Sequence, residues 1–407
     1  MNLQFLLDGY VQSPPVQQLA EAILLPKGQK ILCTKMAGSY AAVLFSALYQ
    51  RNDLNGLNHV IILEDAEEAA YFHNDLEQLI HPIDLFYFPS SFKTNKNFRI
   101  QSSSHVMLRT EALTRLAGGG NRKIIVTYPE ALMEKVSTAE SLSTNIISIK
   151  VNDRLDTDHV MEKLVGYGFE RADFVYEPGQ FAMRGGIFDI YSFGNEKPYR
   201  VELFGQDVDS IRIFDPETQL SERKLLQVNI IPNADAAYEG GEKIDLFSLI
   251  PENTIIYTSH WQLFMDRYRD HEDNLNLYLG QAHQPTDTKD TDEKHAEPDP
   301  EGFTPFERME LAMEKRTTVE MAATATIPSP GIVFTFDIAP QPSFNRQFEL
   351  LIKDLKAHEA AKKQLYIFAE NPKQLERLYS IFTDLRAEIQ FVPVPTAIHQ
   401  GFIDKDK

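Results

Sequence analysis

Continuous apolar runs alternate with helix-like segments over roughly the first 130 residues. Lys30-Ile31-Leu32-Cys33-Thr34, His59-Val60-Ile61-Ile62-Leu63, Asp84-Leu85-Phe86-Tyr87-Phe88-Pro89 and Lys123-Ile124-Ile125-Val126-Thr127 read as strands. Helical spacing falls between them, over residues 40–45, around 67–72 and from about 106 to 116. Strands apolar on both sides and separated by helices predict a parallel sheet covered on both faces, an α/β architecture.

The pattern changes near Val151. A short helix at about 159–166 gives way to alternating runs at 180–184, 186–191, 199–204 and 208–214. Gly205-Gln206-Asp207 makes the last two a hairpin. Alternation of polar and apolar positions predicts a half-exposed antiparallel sheet in a small α+β unit, inserted between α/β pieces. Period 2 places Arg200, Glu202 and Phe204 on one face, and Tyr199, Val201 and Leu203 on the other. Arg184 falls on a neighbouring strand. Arginine and aromatics are the types enriched at interface hot spots, so this face is a candidate docking surface. The competing expectation is an ordinary wet sheet face with Phe204 tucked against a helix. Gly185-Gly186 predicts a bulge or a close backbone approach rather than a ligand loop.

After Leu225 the α/β style is expected to return, with strands at 228–232 and 254–258. The polar, acidic stretch 284–301 reads as a disordered surface loop. Beyond about Pro340, helix 348–360, strand 364–368 and helix 372–385 form another α/β piece. The closing residues, 401–407, carry no stop signature, so the chain reads as part of something longer.

Length and composition narrow the function classes. At 407 residues, with 43% hydrophobic and 11% aromatic positions, the chain supports two to four packed units. It has no apolar run long enough to span a membrane, and residues 1–8 lack the flank of a signal peptide. A cytoplasmic protein without membrane contact is expected. One cysteine, Cys33, excludes an internal disulfide and any cysteine-rich zinc site, and reads as a buried strand residue. Net charge is −19, which disfavours phosphate backbones as partners of the whole chain and favours proteins.

Candidate chemistry is sparse. The first strand-to-helix turn, Lys35-Met36-Ala37-Gly38-Ser39-Tyr40-Ala41-Ala42, is where an α/β fold binds phosphate. Gly38 and Ser39 suit such a loop. Tyr40, Ala41 and Ala42 stand where a second glycine, a phosphate-binding lysine and a magnesium-binding hydroxyl should be. The turn therefore reads as a degenerate phosphate loop. The eleven histidines show no metal-ligand spacing, and no serine-nucleophile elbow occurs. Acidic pairs such as Glu64-Asp65 and Glu67-Glu68 read as solvated helix surface. No catalytic residue, metal or cofactor is expected.

The run Glu177-Pro178-Gly179-Gln180-Phe181-Ala182-Met183-Arg184-Gly185-Gly186-Ile187-Phe188-Asp189-Ile190 is followed by Pro198-Tyr199-Arg200-Val201-Glu202-Leu203-Phe204. Completing it are residues 207–215 and the Thr218-Gln219 pair. Together they resemble the N-terminal region of the bacterial transcription-repair coupling factors, itself similar to the excision-repair helicase subunit UvrB. The resemblance implies a degenerate P-loop-NTPase-like, UvrB-like fold. Residues 1–150 would form domain 1A, 151–215 an inserted α+β domain 2, 216–338 domain 1B, and 339–407 a C-terminal α/β domain 3, itself truncated. It also implies that domain 2 recruits UvrA through Arg184, Arg200 and Phe204, and that the ATP site is lost at Tyr40-Ala41-Ala42. RNA polymerase and DNA would be partners only through other parts of the parent protein, an ATP-dependent DNA translocase. The C-terminal domains of that parent are a further expected partner, in an autoinhibitory contact. The alternative is a UvrB-type ATP-dependent helicase fragment. UvrB carries a long aromatic hairpin, for which the short stretch between Phe88-Pro89-Ser90-Ser91 and the helix near Val106 leaves little room.

Overall fold

The computed structural model describes residues 2–81, 84–94, 97–233, 242–282 and 300–406. The expected loop at 284–301 thus lies almost wholly outside the described residues. The chain divides into two compact units, Met1–Leu85 with Asn253–Gln262 and Glu314–Lys407, and Phe86–Glu252 with Leu263–Met313.

The first unit is built on parallel strands in the order Ile332–Thr335, Lys30–Thr34, Thr318–Met321, Thr254–Thr258 and Asn58–Ile62. Ile31, Cys33, Val60, Ile256, Tyr257 and Val319 are essentially inaccessible, as the uninterrupted apolar runs require. Burial also pushes the Cys33 thiol well above its ordinary pKa, which makes it an inert strand residue. The helix Tyr40–Tyr49 is buried almost all round because it packs against three others, Asn2–Val11, Pro14–Ile23 and Ala66–Ile80. Asp65 caps the last of these by accepting from the Glu67 and Glu68 amides at 3.1 and 3.0 Å. One of the acids read as mere surface is therefore a helix start.

Two strands of this sheet, Thr318–Met321 and Ile332–Thr335, were not legible in the sequence. Thr318–Met321 hides behind Glu320, a charged residue that is nonetheless wholly buried. Its carboxylate accepts from the Trp261, Thr326 and Ile327 amides at 2.9, 2.9 and 3.0 Å. Backbone donors take the place of water around the charge, so a polar letter sits in a core strand. Toward the C-terminus the expected helix–strand–helix order holds, with Phe348–Ala360, Tyr366–Phe368 and Pro372–Asp384. Tyr366–Phe368 pairs in parallel with Val392–Val394, and Ile338–Pro340 pairs antiparallel with Phe402–Asp404.

The second unit holds a six-stranded sheet in the order Ser221–Leu225, Asp207–Phe214, Tyr199–Phe204, Ile187–Ile190, Gln180–Arg184 and Glu170–Arg171. Neighbours are antiparallel, except that Glu170–Arg171 runs parallel to Gln180–Arg184. Its inner face brings Phe181, Phe188, Ile190, Tyr199, Val201 and Ile211 onto Val160 and Leu164 of the helix Thr157–Gly166. Each such side chain contributes roughly 1.5–3 kcal/mol by leaving water.

The run around Val228 does not resume the parallel sheet. Gln227–Ile230 pairs antiparallel with Ile147–Lys150, and Val228 and Ile230 join the core under the six-stranded sheet. Apolar letters alone cannot tell which core a strand will enter. The stretch after Ser91 forms a short antiparallel pair, Phe92–Thr94 with Asn97–Gln101, rather than a plain polar connection. Nearby, the fully buried Arg109 donates to the Pro89 carbonyl at 2.9 Å and faces the Glu134 carboxylate at 3.5 Å. Glu134 also accepts from the Ser90 hydroxyl at 2.6 Å and the Ser91 amide at 2.9 Å.

Candidate docking face

The outer face of the six-stranded sheet is set by register. Ala182, Asp189, Arg200, Arg212 and Lys224 lie opposite one another across five strands. Two arginines directly opposite would repel. Carboxylates on the same face separate them. Arg212 Nη2 goes to Glu202 at 3.0 Å, and Glu202 also accepts from the Ser210 hydroxyl at 2.6 Å. Arg200 turns the other way, to Asp189.

Asp189 has no exposed surface, and it serves two guanidiniums at once. Arg200 donates through Nε at 2.8 Å and Nη2 at 2.9 Å, while Arg184 donates through Nη2 at 2.5 Å. Two cations around one carboxylate leave this cluster with a net positive charge. The guanidinium planes are held as well: Arg184 lies 4.3 Å over the Phe174 ring and Arg200 lies 4.3 Å over the Phe214 ring. Arg184 Nη1 donates to the Asp173 carbonyl at 2.8 Å, and Arg200 Nη1 to the Gln219 carbonyl at 3.0 Å.

The loop that supplies Gln219 is organised by Asp215. Its carboxylate accepts from the Thr218 amide at 2.8 Å, the Thr218 hydroxyl at 3.0 Å and the Glu217 amide at 3.1 Å. Those bonds, led by the Thr218 amide, hold the exposed carboxyl below its ordinary pKa. Gln219 then adopts φ 60° and sends its side-chain amide to the Val175 carbonyl at 3.1 Å. The Thr218-Gln219 pair thus buttresses Arg200.

Arg184, Arg200 and Phe204 share this face but not its exposure. Arg184 is about one-third exposed, Arg200 only 14%, and Phe204, beside the Gly205 turn, 84%. Phe204 is not tucked against a helix. Tyr199 and Val201 are buried and Leu203 packs on the core, as alternation required. Gly186 explains the double glycine: a Cβ there would stand 2.8 Å from the Leu203 carbonyl oxygen, and the Gly186 carbonyl accepts from Leu203 N at 2.7 Å. That close approach brings the Phe204 end against the preceding hairpin. Asp189 is the residue that sequence reasoning missed. The signal was the hairpin register, which sets it opposite both Ala182 and Arg200.

In the first unit, Gly38 sits at φ 56° and Ser39 precedes the helix Tyr40–Tyr49. Tyr40 and Ala42 are buried, and the Tyr40 ring meets Tyr10 and Phe402 edge-on at 5.6 and 5.3 Å. Among the described residues, no group of His, Cys, Asp and Glu is arranged to hold a metal ion. Among them too, no helix is long and apolar enough to cross a membrane.

Residues 147–235 match the UvrB interaction domain family, a span that contains the whole docking face. The chain is 30% identical over 214 residues to a transcription-repair-coupling factor of Bacillus subtilis (strain 168), which covers 52% of this chain and 18% of that protein. A second such factor, from Staphylococcus haemolyticus (strain JCSC1435), is 31% identical over 208 residues, covering 51% and 17%. The resemblance to transcription-repair coupling factor holds. The matched part spans under a fifth of those relatives' length.

Proposed function

We propose that this chain is a non-catalytic docking module of a transcription-repair coupling factor, and that it recruits UvrA through the outer face of the six-stranded sheet. Supporting this most directly, the matched interaction domain carries a positively charged, pre-positioned arginine pair with an exposed phenylalanine on one face. On this reading residues 151–215 are domain 2, 1–150 and 216–338 are domains 1A and 1B, and 339–407 are domain 3. DNA translocation and RNA polymerase binding would belong to other parts of a longer protein. Lack of a lysine and a hydroxyl at Ala41 and Ala42 supports a module that does not hydrolyse ATP.

The arrangement also assigns different work to the three residues. Phe204 is the anchor that reaches a partner, Arg184 offers the accessible charge, and Arg200 mainly holds the face together. Pre-positioned arginines lose little freedom on binding, which favours affinity. Titration of UvrA into the chain tests the proposal. Saturable binding is expected, abolished or weakened at least tenfold by Arg184→Glu with Phe204→Ala. Unchanged affinity in that folded variant would sink the reading.

A further inference from the structure

The turn that follows the first strand of the parallel sheet already holds an occupant, residues 396–402 of the same chain. Ser39 N donates to the Gln400 carbonyl at 3.1 Å, and Gln400 N donates back to the Ser39 hydroxyl at 2.9 Å. Gly38 lies so close that a Cβ there would stand 2.5 Å from the Gly401 carbonyl oxygen. His399 N donates to Asp75 Oδ1 at 2.7 Å, and its ring stacks on Tyr71 with centroids 3.6 Å apart. The Thr396 hydroxyl donates to Gln78 at 2.7 Å. On the far side, Phe402 packs on Tyr40, and Tyr10 donates to Asp404 at 3.0 Å. A cavity of about 60 Å³ remains beside the turn, lined by Ser39, Glu68, Tyr71, Asp75 and His399. It has room for water and is far smaller than a ligand pocket of roughly 300 Å³ or more.

We propose that residues 396–402 are an internal strap seated in this turn, whose Gln400 carbonyl takes the backbone N–H that a phosphate oxygen would take, closing the turn to nucleoside polyphosphates. The chemistry is matched. The first N–H groups of a helix need an acceptor, and a neutral carbonyl satisfies one without the lysine or metal that a triphosphate demands. Tyr40 then fits as well, because its ring meets Phe402 of the strap. A lost phosphate site and a gained peptide socket are thus one change.

Site-resolved amide hydrogen exchange on the full chain tests it. The Ser39, His399 and Gln400 amides are expected to be protected at least a hundredfold relative to free peptide. Asp75→Ala removes the acceptor of the His399 amide and should speed all three at least tenfold, leaving strand Tyr199–Phe204 unmoved. Gly38→Ala, which clashes with the Gly401 backbone, should do the same without touching Asp75. Millimolar Mg-ATP should leave exchange across 37–43 unchanged in the intact chain. Three results overturn the proposal: unprotected strap amides in the intact chain, a Ser39 amide that stays protected once the strap amides are freed, or slowing by Mg-ATP with the strap in place.

Discussion

Asp189 and Arg200 meet through two contacts, Oδ1 to Nε at 2.8 Å and Oδ2 to Nη2 at 2.9 Å, with the carboxylate wholly buried. Arg184 joins the same carboxylate from the neighbouring strand. The face proposed to dock a partner is therefore organised by a residue the partner cannot touch. Breaking a buried pair from one side leaves charges uncompensated and typically costs about 3–5 kcal/mol.

Asp189→Ala should therefore lower both stability and UvrA binding, the first by about 3 kcal/mol. Urea denaturation and calorimetric titration measure the two. A variant that keeps full stability would mean that water or a shifted side chain replaces the carboxylate.

Phe204→Ala should separate the two effects. A side chain this exposed contributes little to the core, so stability should move by no more than about 0.5 kcal/mol. Docking should weaken by about 2 kcal/mol, the scale of an interface hot spot. A loss of unfolding free energy as large as the loss of binding free energy would contradict this.

Glu134 offers a contrast away from the docking face. It is buried and satisfies Arg109, Ser90 and Ser91 together. Glu134→Ala should cost about 3–5 kcal/mol, with UvrA affinity unchanged in whatever fraction stays folded. Equal losses of affinity and stability would argue against a separate docking face.

His271 should make the second unit acid-sensitive. Burial holds its pKa down at about 4, against 6.5 for the free side chain. The imidazole is therefore neutral in the fold, while the unfolded chain gains a proton first. No penalty exists above pH 6.5; stability is lost as pH falls from about 6.5 to about 4, and the loss is complete below that. A shift of this size corresponds to an order of 3 kcal/mol. His271→Gln should flatten the denaturation midpoint across that window. An unchanged slope would mean that another group sets the acid limit.

Much of the architecture was legible because local patterns have one outcome. Lys30–Thr34, Asn58–Ile62 and Thr254–Thr258 are apolar on both sides, the pattern of a parallel sheet covered on both faces. Alternation along Tyr199–Phe204 told which side chains face outward, since the period of a strand is a local property. The missing lysine at the Gly38 turn needed no structure either.

What alternation does not carry is the identity of the neighbour. Glu320 lies in a core strand because the amides of Trp261, Thr326 and Ile327 surround it, the first of them brought from elsewhere in the chain, and Val228 enters one core rather than another because of Ile149. The docking face shows the same division. Sequence pattern and family resemblance placed Arg184, Arg200 and Phe204 together. Only strand register made Asp189 the shared counter-charge, and only packing left Phe204 exposed while Arg200 was drawn inward. Periodicity is written residue by residue along the chain; counter-charges, buried acids and the strap on Ser39 are decided by strand register and packing, which bring residues of different elements together.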